Sequence, residues 1–162
     1  MNKTSMRLLP AALLAAMTLT VPQTATAAPS GPYQACEGFD VTIESTGGTQ
    51  ATRMTRIKDG VLYSITAGKG TTITVTNVDS LKSVTFGTKG SVTRYAIDQD
   101  GNIQFSLSGA NLLLLFKDVD VGGPSTILYT GLVRFTTDSS GTLHEPIQQA
   151  SGTQRDICEE LK

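Results

Sequence analysis

The sequence has no tryptophan, one histidine and two cysteines, and only 17% of its 162 residues are charged. Each shortage removes a class of chemistry. His144 is the only imidazole, so a proton-shuttling triad would have to use that one side chain. The two cysteines lack CxxC spacing and have a single histidine to share, which disfavours a redox or zinc pair. Lys plus Arg number 13 against 14 Asp plus Glu, a formal net charge of −1, so the basic footprint that phosphate backbones require is missing. Nucleic acid is therefore not an expected partner. Helical periodicity is almost absent. The longest apolar run after residue 27, Leu112 to Phe116, is far too short to span a bilayer.

The N-terminus has a recognisable signal of its own. Lys3 and Arg7 precede an apolar stretch from Leu8 to Val21, which leads through Pro22 to Ala25-Thr26-Ala27. A positive end, an apolar middle and small residues before the cut describe a secretory signal peptide over 1–27, with cleavage leaving Ala28 first. Retention as an anchor is the weaker reading, because Pro10, Thr18 and Thr20 shorten the apolar stretch below the roughly 20 residues a spanning helix needs. A lipid anchor fails because the first cysteine, Cys36, lies well beyond that stretch. Removing 1–27 takes Lys3 and Arg7 with it and leaves a mildly acidic chain. Residues 28–35, with Pro29, Gly31 and Pro32, read as an extended leader, and 36–162 as a single β domain.

In an exported chain an even cysteine count implies a disulfide, Cys36 to Cys158, joining the two ends of the domain. Closing so long a loop is worth on the order of 4 to 5 kcal/mol by chain-entropy reasoning.

Between the cysteines the dominant pattern has period two. Val41 and Ile43 alternate with Thr42 and Glu44, and Ile73 and Val75 alternate with Thr72, Thr74 and Thr76. Further strand-like runs fall at 54–58, 61–66, 83–86, 92–97, 102–107, 112–117 and 127–136. Asp59-Gly60 and Asp100-Gly101 are hairpin dipeptides, and Gly68 to Gly70, Asp79-Ser80, Gly87 to Gly90 and Ser140-Gly141 mark other reversals. The expected fold is all-β, an antiparallel β-barrel or barrel-like sandwich of about eight to ten strands. A short helical turn over Thr153 to Leu161 closes it. Two runs break the alternation: Leu112 to Phe116 and Ile127 to Phe135 are apolar toward both faces. Cover on both sides is the preferred explanation, and an apolar mouth for a lipid-like ligand the other.

Candidate sites are few. No catalytic residue and no cofactor are assigned. His144, just beyond the Gly141 turn, lacks a nucleophile-elbow glycine pattern to partner it. Asp98 and Asp100 open like a calcium loop, but the twelfth position is Gly109, which cannot supply the bidentate acid. Asp118 and Asp120 are the weak calcium candidates, with an irregular, solvated connection as the default. The threonine ladder at Thr72, Thr74 and Thr76 suits a solvated strand face better than a glycan- or ice-binding array. Arg53, Arg56, Arg94 and Arg134 lie on separate strands and would form an anion site only if the fold brought them to one face.

Several segments also carry a family likeness: Ala35-Cys36-Glu37-Gly38-Phe39-Asp40-Val41, Thr74-Val75-Thr76-Asn77-Val78-Asp79 followed by Lys82-Ser83-Val84-Thr85, Leu128-Tyr129-Thr130-Gly131, and Gly152-Thr153-Gln154-Arg155-Asp156-Ile157-Cys158. Together they resemble the small uncharacterised secreted proteins common in actinobacteria. The resemblance implies an exported β domain with a terminal bridge, and no activity. The expected function is a secreted, monomeric, non-catalytic binding or cell-surface-associated module for an extracellular small molecule, glycan or protein. The alternatives are an extracellular hydrolase using His144 or an acidic pair, and a structural protein of the envelope.

Overall fold

The computed structural model describes residues 28–162, so the segment 1–27 read as a signal peptide lies outside the described residues. Ten strands and one helix follow in chain order: β1 (Ser30–Cys36), β2 (Phe39–Thr46), β3 (Thr49–Lys58), β4 (Val61–Lys69), β5 (Thr72–Asn77), β6 (Ser83–Gly87), β7 (Val92–Ile97), β8 (Ile103–Leu115), β9 (Ser125–Thr137), β10 (Gln149–Asp156) and α1 (Ile157–Leu161). They form two antiparallel sheets, a four-stranded one ordered β1-β2-β5-β6 and a six-stranded one ordered β10-β9-β8-β7-β4-β3. No closed barrel forms; the fold is the barrel-like sandwich. The supposed leader supplies β1, an edge strand on β2, where Pro32 costs no ladder bond from an interior position. The helical turn is confined to Ile157–Leu161, and 153–156 belong to β10.

Turn chemistry explains the hairpins. At the β3–β4 reversal Asp59 and Gly60 both take positive φ, 52° and 78°, as the tight turn matching strand twist requires. The loops after β7 and β9 share one device. Asp98 accepts from the amides of Asp100 and Asn102, and Asp138 from those of Ser140 and Thr142, while Gly101 and Gly141 supply the left-handed residue.

The centre is the pair β8 and β9, each 13 residues long and in register from Ile103↔Thr137 to Leu115↔Ser125. The two runs at 102–107 and 112–117 are thus one strand. One face of its far half, with Ala110, Leu112, Leu114 and Leu128, packs against Val41, Val75 and Phe86 of the small sheet and against Ile157 and Leu161 of α1. On the opposite face Leu107, Leu115, Tyr129, Val133 and Phe135 are covered by Leu143 and Ile147 from the loop before β10. Both faces are covered, which accounts for the broken alternation.

The ends are tied to this pair. Cys36 and Cys158 are bridged with their Cα atoms 5.5 Å apart. Beside them the buried Thr126 hydroxyl donates to the Ala35 carbonyl at 2.8 Å, pinning β1 to β9. Asp156 caps α1 by accepting from the Glu159 amide, and Asn77 donates its side-chain N–H to the Leu161 carbonyl at 3.1 Å. Arg155 clasps Glu160 through two hydrogen bonds, holding β10 to the helix.

One line of glycines divides the large sheet. Gly109 pairs with Gly131, and Gly131 with Gly152, across β8, β9 and β10. A Cβ at Gly131 would fall 2.1 Å from the Ser151 carbonyl oxygen and one at Gly152 2.0 Å from that of Thr130, so no side chain fits. On one side of this line the sheet is covered by its small partner; on the other, one face is bare.

Two stability effects follow. Replacing Cys36 and Cys158 together by Ala should cost about 2 to 5 kcal/mol in chemical denaturation, with the native chain showing no free thiol. Leu143→Ala should cost about 2 to 5 kcal/mol, because this side chain, 2% exposed, seals the second core. A loss below 1 kcal/mol would mean that the loop is not a required cover.

Candidate arginine groove

Direct pairing carries the register from β3 to β9 and sets two adjacent rows on the bare face of the large sheet. The first row is Ile65, Arg94, Ser106 and Arg134; the second is Arg56, Tyr63, Ala96, Gln104 and Thr136. Cross-strand partners share a face, so the alternation of the strands forces these side chains onto one surface. Gln148, donating to the Thr136 hydroxyl at 2.9 Å, edges the surface. All of these but Thr136 line an open groove of about 490 Å³, to which Ser64, Tyr95 and Phe105 of the same strands also contribute.

Its floor is Ile65 and Ala96, with Tyr63 at one side and the Arg56 guanidinium 5.4 Å from the centre of the Tyr63 ring. Behind it, on the other face of the same strands, Tyr95, Phe105 and Phe135 form an aromatic ladder with ring centres 6.0 and 5.0 Å apart, which stiffens the sheet under the groove. No carboxylate is among the described lining residues. Arg56, Arg94 and Arg134 form no ion pair and no side-chain hydrogen bond among the described residues. Some cations elsewhere have partners: Arg155 holds Glu160, Lys162 holds Glu159 and Lys58 lies near Asp59. Three guanidiniums, unpaired among the described residues, around one groove in a chain of slight negative charge make a local patch of positive charge.

The other sequence candidates are placed elsewhere. Arg53 lies at the register shift in β3, between Thr52 and Met54. Thr74 and Thr76 bond Thr85 and Ser83 across the outer face of the small sheet, each at 2.9 Å, as strand-strand contacts. Asp98 is spent on its own turn, where the Asn102 side chain and nearby amides lower its pKa against a smaller effect of burial. Asp120 uses both carboxylate oxygens on backbone amides, Phe116 at 2.9 Å and Leu143 at 2.8 Å, and so holds the covering loop in place. Asp118 is exposed in a separate hollow with Asp40, Asp79 and Lys117. Among the described residues no three His, Cys, Asp or Glu side chains are placed to share a metal ion.

His144 does have a partner. Its Nε2 lies 2.8 Å from Oδ2 of Asp138, while the Ser140 hydroxyl donates to Oδ1 of the same carboxylate at 2.6 Å. The order is Ser–Asp–His. A nucleophilic serine needs the imidazole next to its hydroxyl, so this arrangement cannot pass a proton as a hydrolase triad does. The Ser140 bond first, then His144 and the Thr142 amide, hold the Asp138 carboxyl well below the usual carboxylate range.

That shift has a definite sign. A folded-state pKa depressed below the unfolded value gives stability that is fully present above the unfolded pKa and lost as pH falls through the folded one. The thermal midpoint of Asp138→Asn should therefore lie below that of the native chain above about pH 5, with the margin narrowing progressively as pH falls below about 4. A margin unchanged down to pH 2 would show that the charge of Asp138 does not matter.

No described helix is long and apolar enough to cross a membrane. No protein-family model, curated protein or solved structure matches this chain.

Proposed function

We propose that this chain is an exported, non-catalytic binding module that holds an anionic extracellular ligand in the groove of Arg56, Arg94 and Arg134. The observation that carries the reading is the convergence of three guanidiniums, unpaired among the described residues, on one bare sheet face. Bringing like charges together weakens the free domain, so their placement is explained by what they attract. Arginine suits the task, because its planar fork meets carboxylate, sulfate or phosphate with two parallel hydrogen bonds. Export is supported by the N-terminal segment 1–27 and by the Cys36–Cys158 bridge, which persists outside the reducing interior of a cell.

Binding to the folded state alone adds about 2.7 kcal/mol at a free ligand concentration near 100 Kd, enough to raise the thermal midpoint by several degrees. In a panel of citrate, inorganic phosphate, dextran sulfate and neutral dextran, at least one anion should raise the midpoint of the native chain and neutral dextran should not. The triple variant Arg56→Ala, Arg94→Ala, Arg134→Ala should fold with an unchanged or slightly higher midpoint and lose the response. An equal response in the triple variant would place the anion somewhere else.

A further inference from the structure

We infer that the occupant of the groove is a linear acidic polysaccharide laid across the strands, with successive acid groups received by Arg134, Arg94 and Arg56. This inference rests on the groove being the binding surface and adds the shape and class of what it binds.

The register supplies the spacing. Arg94 and Arg134 stand in one row on either side of Ser106, two strand intervals apart, or about 10 Å. Arg56 lies two strands beyond Arg94 in the other direction and one side-chain repeat along, at a separation of about 12 Å. The three cations thus form a line across five strands, about 20 Å from end to end. Arg56 and Arg134 are too far apart to meet on one oxyanion, so a small anion leaves at least one guanidinium idle. A chain with an acid group on every second sugar repeats at nearly the same interval, about 10 Å, as two strand spacings.

The surface between the cations has matching chemistry. Ser106 lies between Arg94 and Arg134, and Gln104 and Gln148 flank them, so hydroxyl and amide groups face the stretch where sugar hydroxyls would pass. Tyr63, part-exposed and with the Arg56 guanidinium over its ring, adds aromatic surface and a hydroxyl at that end of the groove. The floor is shallow and open, as a strand face is, and would admit an extended chain. Single-stranded nucleic acid is also a linear polyanion, but its bases require a series of aromatic platforms, and the strand alternation turns Tyr95 and Phe105 of the lining to the other face, leaving Tyr63 as the one ring on this face among the described lining residues.

Calorimetric titration of the bridged chain with hyaluronate oligosaccharides, which carry one carboxylate per disaccharide, tests the length dependence. Affinity should rise at least about tenfold from the disaccharide to the octasaccharide, as further arginines are engaged by one tethered chain. Arg134→Ala and Arg56→Ala should each remove most of that gain while leaving the thermal midpoint in place, and neutral dextran should not bind. Equal affinity for the two lengths, with citrate still held through the arginines, would overturn the polysaccharide and leave the anion groove standing. Failure of the oligosaccharides and of every small anion would overturn both. An oligothymidylate of matching length that binds as tightly as the octasaccharide would replace the polysaccharide with nucleic acid.

Discussion

The long antiparallel pairing of β8 with β9 is the constraint on which the other contacts lean, because it is the wall shared by both cores. Its even-numbered residues beyond the glycines face the small sheet and α1; its odd-numbered residues face Leu143 and the loop that carries it. A one-residue slip of this pair would turn Leu112, Leu114 and Leu128 away from the small sheet and expose the second core at the same time. The same slip would take Arg94 and Arg134 out of line. The register that builds the core is therefore the register that builds the groove.

Polar contacts hold the two covers in place against this wall. Thr126 and the Cys36–Cys158 bridge fasten β1 and α1 on one face, and Asp120 fastens the loop of Leu143 on the other by accepting from two backbone amides. Each is a short connection between segments far apart in sequence. The hydrogen bonds contribute little singly, but together with the bridge they fix which apolar surfaces meet.

Much of this is legible in the chain. Alternation at Val41 and Ile43, at Ile73 and Val75 and through 92–97 marks real strands, and Asp59-Gly60 marks a real tight turn. The doubly apolar runs mark the strands buried on both faces. Other elements leave no periodic trace, for reasons that can be named. β10 is exposed along both faces, so polar residues suit every position and no alternation develops. β1 contains Pro29's neighbour Ser30, Gly31 and Pro32, the composition of a connector, and is a strand because β2 offers it an edge. The gap between the runs at 102–107 and 112–117 lies within one strand, with Gly109 at positive φ inside it. The groove was the least accessible feature, since Arg56, Arg94 and Arg134 become neighbours only through a register that passes over five strands. Arg53, of the same residue type and on one of those strands, is set apart by a register shift.

The disulfide also fixes how the domain can be attached to something else. By joining the end of β1 to α1 beside Thr126, it holds the C-terminal end of the described chain at one pole, while Arg134 lies eight residues further along β9, about 27 Å away. A tether, fusion partner or solid support joined at the C-terminal end would therefore stand clear of the arginines.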